Sequence, residues 1–136
     1  MTITLDQAHA VIAAARTAAT DRSETVALAV VDQGGNLVAF ARADGAPLIT
    51  IDTAIGKAFT AISIGADTIN LTPAIQPGQP LFGIGLGLAG ARSLVPYGGG
   101  LVIRSGDTVI GALGVSGAAL SQTDHEIGVA AIDQLD

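Results

Sequence analysis

The stretch Thr25-Val26-Ala27-Leu28-Ala29-Val30-Val31-Asp32, Gln33-Gly34-Gly35-Asn36, Leu37-Val38-Ala39-Phe40-Ala41-Arg42 decides the fold. Its first part is a nearly continuous apolar run rich in β-branched residues, the pattern of a buried strand. The Gly-Gly turn supplies residues free to adopt positive φ, so the chain returns antiparallel in a tight hairpin. Asp32, just before the glycines, is placed to accept hydrogen bonds from the turn's N–H groups, a structural role. At the other end of the hairpin, Arg42 and Asp44 stand close enough in sequence to pair across the strand end.

Working outward, Thr4 and Gln7 have the spacing of a capping box, and Leu5, Ala8, Val11, Ile12, Ala15 and Ala19 recur at helical period, which predicts a helix to about Ala19. Beyond the hairpin, Pro47 opens a second helix over about 47–64. Ile51, Ile55, Ala58 and Ile62 form its apolar stripe; Thr50, Thr53, Lys57 and Thr60 form a polar stripe opposite. Gly65 ends that helix, and Asp67-Thr68 cap a short helical turn before Pro73. Residues 77–100 hold three of the five prolines and eight of the 18 glycines, so they read as an extended, partly buried loop. A second hairpin follows, Leu101 to Arg104 and Thr108 to Val115, joined by Ser105-Gly106-Asp107. Ser121 and Asp124 have capping-box spacing at the start of a last helix carrying Ile127, Ala130, Ala131 and Leu135. The order α-β-β-α-loop-β-β-α, built on hairpins instead of βαβ crossovers, predicts an α+β fold: one antiparallel sheet with helices packed on it, in a single domain over 1–136.

The composition narrows the function. Of 136 residues 49% are hydrophobic and 13% charged, so the chain is globular. Alanine and glycine together make 43 of them, an excess that points to close backbone approaches. A net charge of −6 and a pI near 4.5 argue against nucleic acid as a partner. Neither a spanning apolar stretch nor the basic start of a secretory signal is visible, so a cytoplasmic protein without membrane contact is expected. With zero Cys, disulfides, thiolate catalysis and Cys-bound zinc or iron–sulfur clusters fall away.

The residues able to carry chemistry are few. Lys57 is the only lysine; it either belongs to a solvated helix face or is a cation for a ligand carboxylate or for proton transfer. His9 and His125 are the only histidines. His9 lies toward the flank of the first helix, on the same side as Arg16, where a solvated imidazole is the plain reading. His125 sits in the first turn of the last helix between Asp124 and Glu126. No metal-ligand spacing is present. Tyr97, the sole tyrosine, precedes Gly98-Gly99-Gly100, whose amides could face an anion as a backbone nest. Gly85-Leu86-Gly87-Leu88-Ala89-Gly90 spells a dinucleotide fingerprint without its strand, helix or acid, and reads as a packed loop. Gly114-Val115-Ser116-Gly117-Ala118 misses the nucleophile elbow at its last position.

Four blocks, in order, give the chain its resemblance: Val30-Val31-Asp32-x-Gly34-Gly35-Asn36-Leu37-Val38-Ala39-Phe40-x-Arg42-x-Asp44-Gly45-Ala46; Lys57-Ala58-x-Thr60-Ala61; Tyr97-Gly98-Gly99-Gly100; and Val109-Ile110-Gly111-Ala112-Leu113-Gly114-Val115-Ser116-Gly117. In these it resembles the GlcG/HbpS-like family of small haem-binding-type proteins, also found as the C-terminal domain of PduO-type corrinoid adenosyltransferases. The resemblance implies a profilin-like or PAS-like fold with a five-stranded sheet, a homo-oligomer, and haem or a similar carboxylate-bearing small molecule as ligand. On that reading Arg42, Lys57, Thr60, Tyr97, Gly98, Gly99, Gly100 and Ser116 line the ligand site, with His9 as axial ligand to haem iron. An enzyme is the alternative: an isomerase, lyase or cyclase acting on a small carboxylate or carbonyl compound, with Lys57, Asp44 or His125 as acid–base groups and the Gly98 to Gly100 amides stabilising an anion.

Overall fold

The first hairpin forms as its sequence predicts: Ala27–Asp32 (β1) pairs antiparallel with Leu37–Arg42 (β2), Ala27 facing Arg42 and Val30 facing Ala39. The structure, a computed structural model, describes residues 1–84 and 93–135. The Asp32 carboxylate accepts from the Gly34 and Asn36 amides, each at 2.9 Å, and so holds the turn, where Gly35 has φ 81°. Asp32→Ala is expected to cost about 1–2 kcal/mol by losing both bonds. Chemical denaturation measures it, and a loss below a few tenths of a kcal/mol would show that the turn holds without them.

The other elements are Leu5–Asp21 (α1), Ile49–Ile64 (α2), a 3-10 segment Thr68–Ile75, Gly100–Ser105 (β3), Thr108–Ser116 (β4) and Ser121–Ile132 (α3). α1 starts with the expected capping box, Thr4 and Gln7 bonding each other's amides at 3.1 and 2.8 Å. The hairpins join through their inner strands, β1 against β4, to give one antiparallel sheet in the order β2-β1-β4-β3. That central place explains the continuous apolar run of β1: residues 27–31 are all buried because helices cover both faces. Leu28, Val30, Leu113 and Val115 meet Val11, Ala15 and Ile127 on the face under α1 and α3. Ala27, Ala29, Val31 and Ala112 meet Ala54, Ala58 and Ala61 of α2 on the other.

This second interface accounts for part of the alanine excess and corrects the expected stripe of α2. Ala54, Ala58 and Ala61 face the sheet, while Ile51, Ile55 and Ile62 are only half-buried. The sheet surface below α2 is itself small, and Gly114 lies so near that a Cβ there would strike the Ala54 carbonyl oxygen. Isoleucines at the contact would hold the helix away. The polar stripe is therefore partly carried inward: Thr50, Lys57 and Thr60 are buried.

Four further expectations change. α2 begins at Ile49 rather than at Pro47, whose carbonyl instead accepts from the Thr50 hydroxyl at 2.6 Å. Asp67 makes no side-chain cap; its carboxylate accepts from the Val102 amide at 3.0 Å, tying the 3-10 segment to β3. The Ser121–Asp124 capping box does not form: Leu120 is the N-cap of α3 without a side-chain bond, and Asp124 turns inward. Arg42 and Asp44 make no ion pair; the Arg42 guanidinium donates to the Ala46 carbonyl at 3.2 Å. Among the described residues the sheet has four strands, not the five the resemblance implies. The run Gly85 to Gly90 lies outside the described residues. No helix among them is long and apolar enough to cross a membrane.

Candidate functional site

Because α2 rests on alanines, the lysine one position before Ala58 is carried beneath the loop that leads into β3. There the Lys57 ammonium donates to Asp124 Oδ2 at 2.9 Å and to the Val115 carbonyl at 3.0 Å. The other Asp124 oxygen accepts from the Ala118 amide at 3.0 Å. Lys57 is 5% and Asp124 3% exposed, so a charged pair bolts α2, the end of β4 and α3 together inside the protein. Burial pushes the Asp124 carboxyl above its ordinary value of 3.8; the Lys57 charge and hydrogen bond and the Ala118 amide pull it back, and Glu24 adds an upward push.

Of the three glycines, Gly99 makes room for this pair. Gly99 has φ 125°, and a Cβ on it would meet Lys57 Cδ and Asp124 Cβ at 3.0 Å as well as the Val115 carbonyl. Gly98 and Gly100 are equally enclosed, by Ile69 and Ser121 and by Lys57 and Thr68. The backbone groups here are used inside the chain: the Gly100 amide donates to Thr68 Oγ1 at 2.9 Å, and the Gly99 carbonyl accepts from the Val115 amide at 2.7 Å. Thr68 in turn donates to the Tyr97 carbonyl at 2.6 Å. Thr60 donates to the Gly56 carbonyl and accepts from the Val95 amide. Ser116 and Thr53 share a hydroxyl–hydroxyl bond of 2.6 Å. Lys57, Gly99 and Gly100 thus pack together, while the Thr60 hydroxyl is taken up by Gly56 and Val95 and the Ser116 hydroxyl by Thr53. Tyr97, next to Gly98, is 55% exposed.

The remaining candidates lie elsewhere. Ala27 pairs with Arg42 on one side and Ser116 on the other, so Arg42 is on the same row of the sheet but at the exposed β2 edge. Arg42 and Asp44 line a groove of about 410 Å³ together with Arg16 and Glu24. His9 is exposed on α1, and no side-chain bond holds it among the described residues. Arg16 follows seven residues later, roughly 10 Å along the same helix side. His125 is half-buried, with its Nδ1 buried and unpartnered. No group of three metal-ligating side chains converges among the described residues. Sequence reasoning missed Asp124 as the partner of Lys57. The available signal was that the buried face of α3 must include Asp124 if Ile127 and Ala131 face inward.

For haem, one chain fits in part. An exposed His9, without a side-chain bond among the described residues, could reach an iron ion. The groove, however, is near the small end of the roughly 300–1,000 Å³ range of ligand pockets, and no imidazole lines it. A tetrapyrrole on His9 would need a second wall from outside the chain.

Comparison with known proteins agrees with the geometry of the fold. The family model "Haem degrading protein HbpS-like" matches residues 3–133. A 15.0 kDa protein from the dhaT-dhaS intergenic region of Citrobacter freundii is 37% identical over 132 residues, covering 97% of this chain and 91% of that one. Corrinoid adenosyltransferase PduO of the same organism is 31% identical over 132 residues, with 97% of this chain matching 38% of that protein. A crystal structure described as a PduOC–haem complex superposes with a TM-score of 0.87 at 29% identity, covering 98% of this chain and 94% of that one.

Proposed function

Since the chain belongs to the HbpS-like family, we propose that it is a small-molecule-binding protein whose ligand is haem or a similar flat, carboxylate-bearing molecule, held by a homo-oligomer. The observation that carries this reading is His9, an exposed imidazole on α1 with no side-chain bond among the described residues, in a fold that a haem-complexed relative shares at a TM-score of 0.87. Bound iron would supply redox and oxygen chemistry; His9 would hold the iron through an imidazole nitrogen, and Arg16 further along α1 would offer a cation for a carboxylate.

The need for a second wall over His9 supports the homo-oligomer. Half of a binding surface on each chain would explain why neither chain alone encloses the ligand. The Lys57–Asp124 pair then serves as frame: it ties α2 and α3 to the end of β4, with two of the three Lys57 N–H donors committed within the chain. Titration with hemin at micromolar concentration tests the reading. The Soret band is expected to shift with the native chain and to lose that shift in His9→Ala. Identical titrations of the two proteins would remove His9 from the site, and a spectrum equal to free hemin in both would remove the ligand.

A further inference from the structure

The groove between α1 and the β2 edge carries more charge chemistry than the haem reading uses. Its floor is apolar, made of Leu28 from β1 and Val26 just before it, both almost fully buried, with Ala19 and Ala41 on either side. The space exists because those flanking residues are alanines: larger side chains at 19 or 41 would fill it. Each wall then presents one cation and one anion. Arg16 belongs to α1, and Glu24 lies a few residues beyond its end; Arg42 ends β2 and Asp44 follows it.

These four charges do not neutralise one another. Among the described residues the Lys57–Asp124 pair is the one ion pair, so neither arginine is paired to either acid across the groove. Arg42 is steadied by its bond to the Ala46 carbonyl at 3.2 Å, which leaves the rest of its five-donor fork for a carboxylate. A ligand with only a carboxylate would face two acids, and one with only an ammonium would face two arginines. A molecule bearing both, on a short apolar body that covers Val26 and Leu28, matches all of them.

The geometry points to this groove as a binding site for a small zwitterion, of the class of an α-amino acid with an unbranched apolar side chain. It shares Arg16 with the haem reading but not His9, which does not line it. The probes are 2-aminohexanoate, hexanoate and hexylammonium, titrated against the native chain while backbone amide resonances are followed. 2-Aminohexanoate is expected to saturate shifts in residues 16–28 and 41–44, binding about tenfold or more tighter than either single-charge analogue.

Arg42→Gln is expected to weaken 2-aminohexanoate by about tenfold, and Ala41→Leu, which fills the groove and leaves every charge in place, to abolish binding. His9→Ala is expected to bind it as the native chain does, while losing the hemin shift, so the two sites fail separately. Three outcomes would overturn the inference: no saturation by 2-aminohexanoate, hexanoate binding as tightly as the zwitterion, or unchanged binding in a folded Ala41→Leu chain.

Discussion

Gly114→Ala is expected to cost about 3 kcal/mol or more, although it adds a single methyl group. A Cβ at 114 would occupy the place of the Ala54 carbonyl oxygen, with Ala58 N at 2.8 Å and Ala54 C at 2.9 Å. All three obstacles are backbone, so no side-chain rotation relieves them. β4 cannot retreat, since it is paired on both edges, with β1 and β3. α2 must therefore rise from the sheet, and its contact residues Ala54, Ala58 and Ala61 are too short to follow the gap. Overpacking ordinarily costs about 1–3 kcal/mol, and an alanine-on-alanine interface has less means to relax than most. Against a total stability of about 5–15 kcal/mol this is severe. Gly106→Ala is the comparison: φ there is 59° and nothing lies within 4 Å of the added Cβ, so it carries only the backbone strain of about 1–2 kcal/mol. Equal melting of the two variants would mean that α2 does not approach β4 as described.

Breaking the buried pair has an effect of similar size with a different signature. Lys57→Met leaves the Asp124 carboxylate with the Ala118 amide alone, and Asp124→Leu leaves an ammonium with the Val115 carbonyl alone. Each single change is expected to cost about 3–5 kcal/mol, because it strands one charge where both residues are almost fully buried. The double variant Lys57→Met/Asp124→Leu removes both charges and is expected to recover much of that loss, so the singles are strongly non-additive. Denaturant titration of the four chains measures the coupling. Additive single effects below about 1 kcal/mol would show that the pair is solvated. The double variant also separates frame from site: it is expected to shift the Soret band of hemin as the native chain does.

Those two features mark where the sequence was readable and where it was not. The hairpins were legible because their signals are local: Gly34-Gly35 and Gly106 at the turns, alternating or continuous apolar residues beside them, and Asp32 set to bond the turn amides. α1 was legible for the same reason, through Thr4 and Gln7. The pairing of β1 with β4 and the orientation of α2 depend on residues distant in sequence, and no local pattern encodes them. Hydrophobicity ranked Ile51 and Ile55 above Ala54 and Ala58, yet the sheet opposite is built from Ala27, Ala29, Ala112 and Gly114, and size complementarity decided the contact. The same rotation took Lys57 inward. Asp124 looked like a helix cap because its spacing from Ser121 suits one, while the attraction of a buried ammonium is invisible to spacing. Among the candidate site residues, Lys57, Gly99 and Gly100 come together and Thr60 and Ser116 are buried on other partners, whereas His9, Arg42 and Asp44 stand at the surface. Part of the excess of alanine and glycine thus has a location, in the α2–sheet contact and the threading of residues 98–100.

The measurement closest to the central claim is the absorbance spectrum of the chain as purified from haem-replete cells, recorded beside His9→Ala prepared in parallel. A Soret band that copurifies with the native chain and is missing from a folded His9→Ala chain is the predicted result. A colourless native protein that also leaves the spectrum of added hemin unchanged would contradict it.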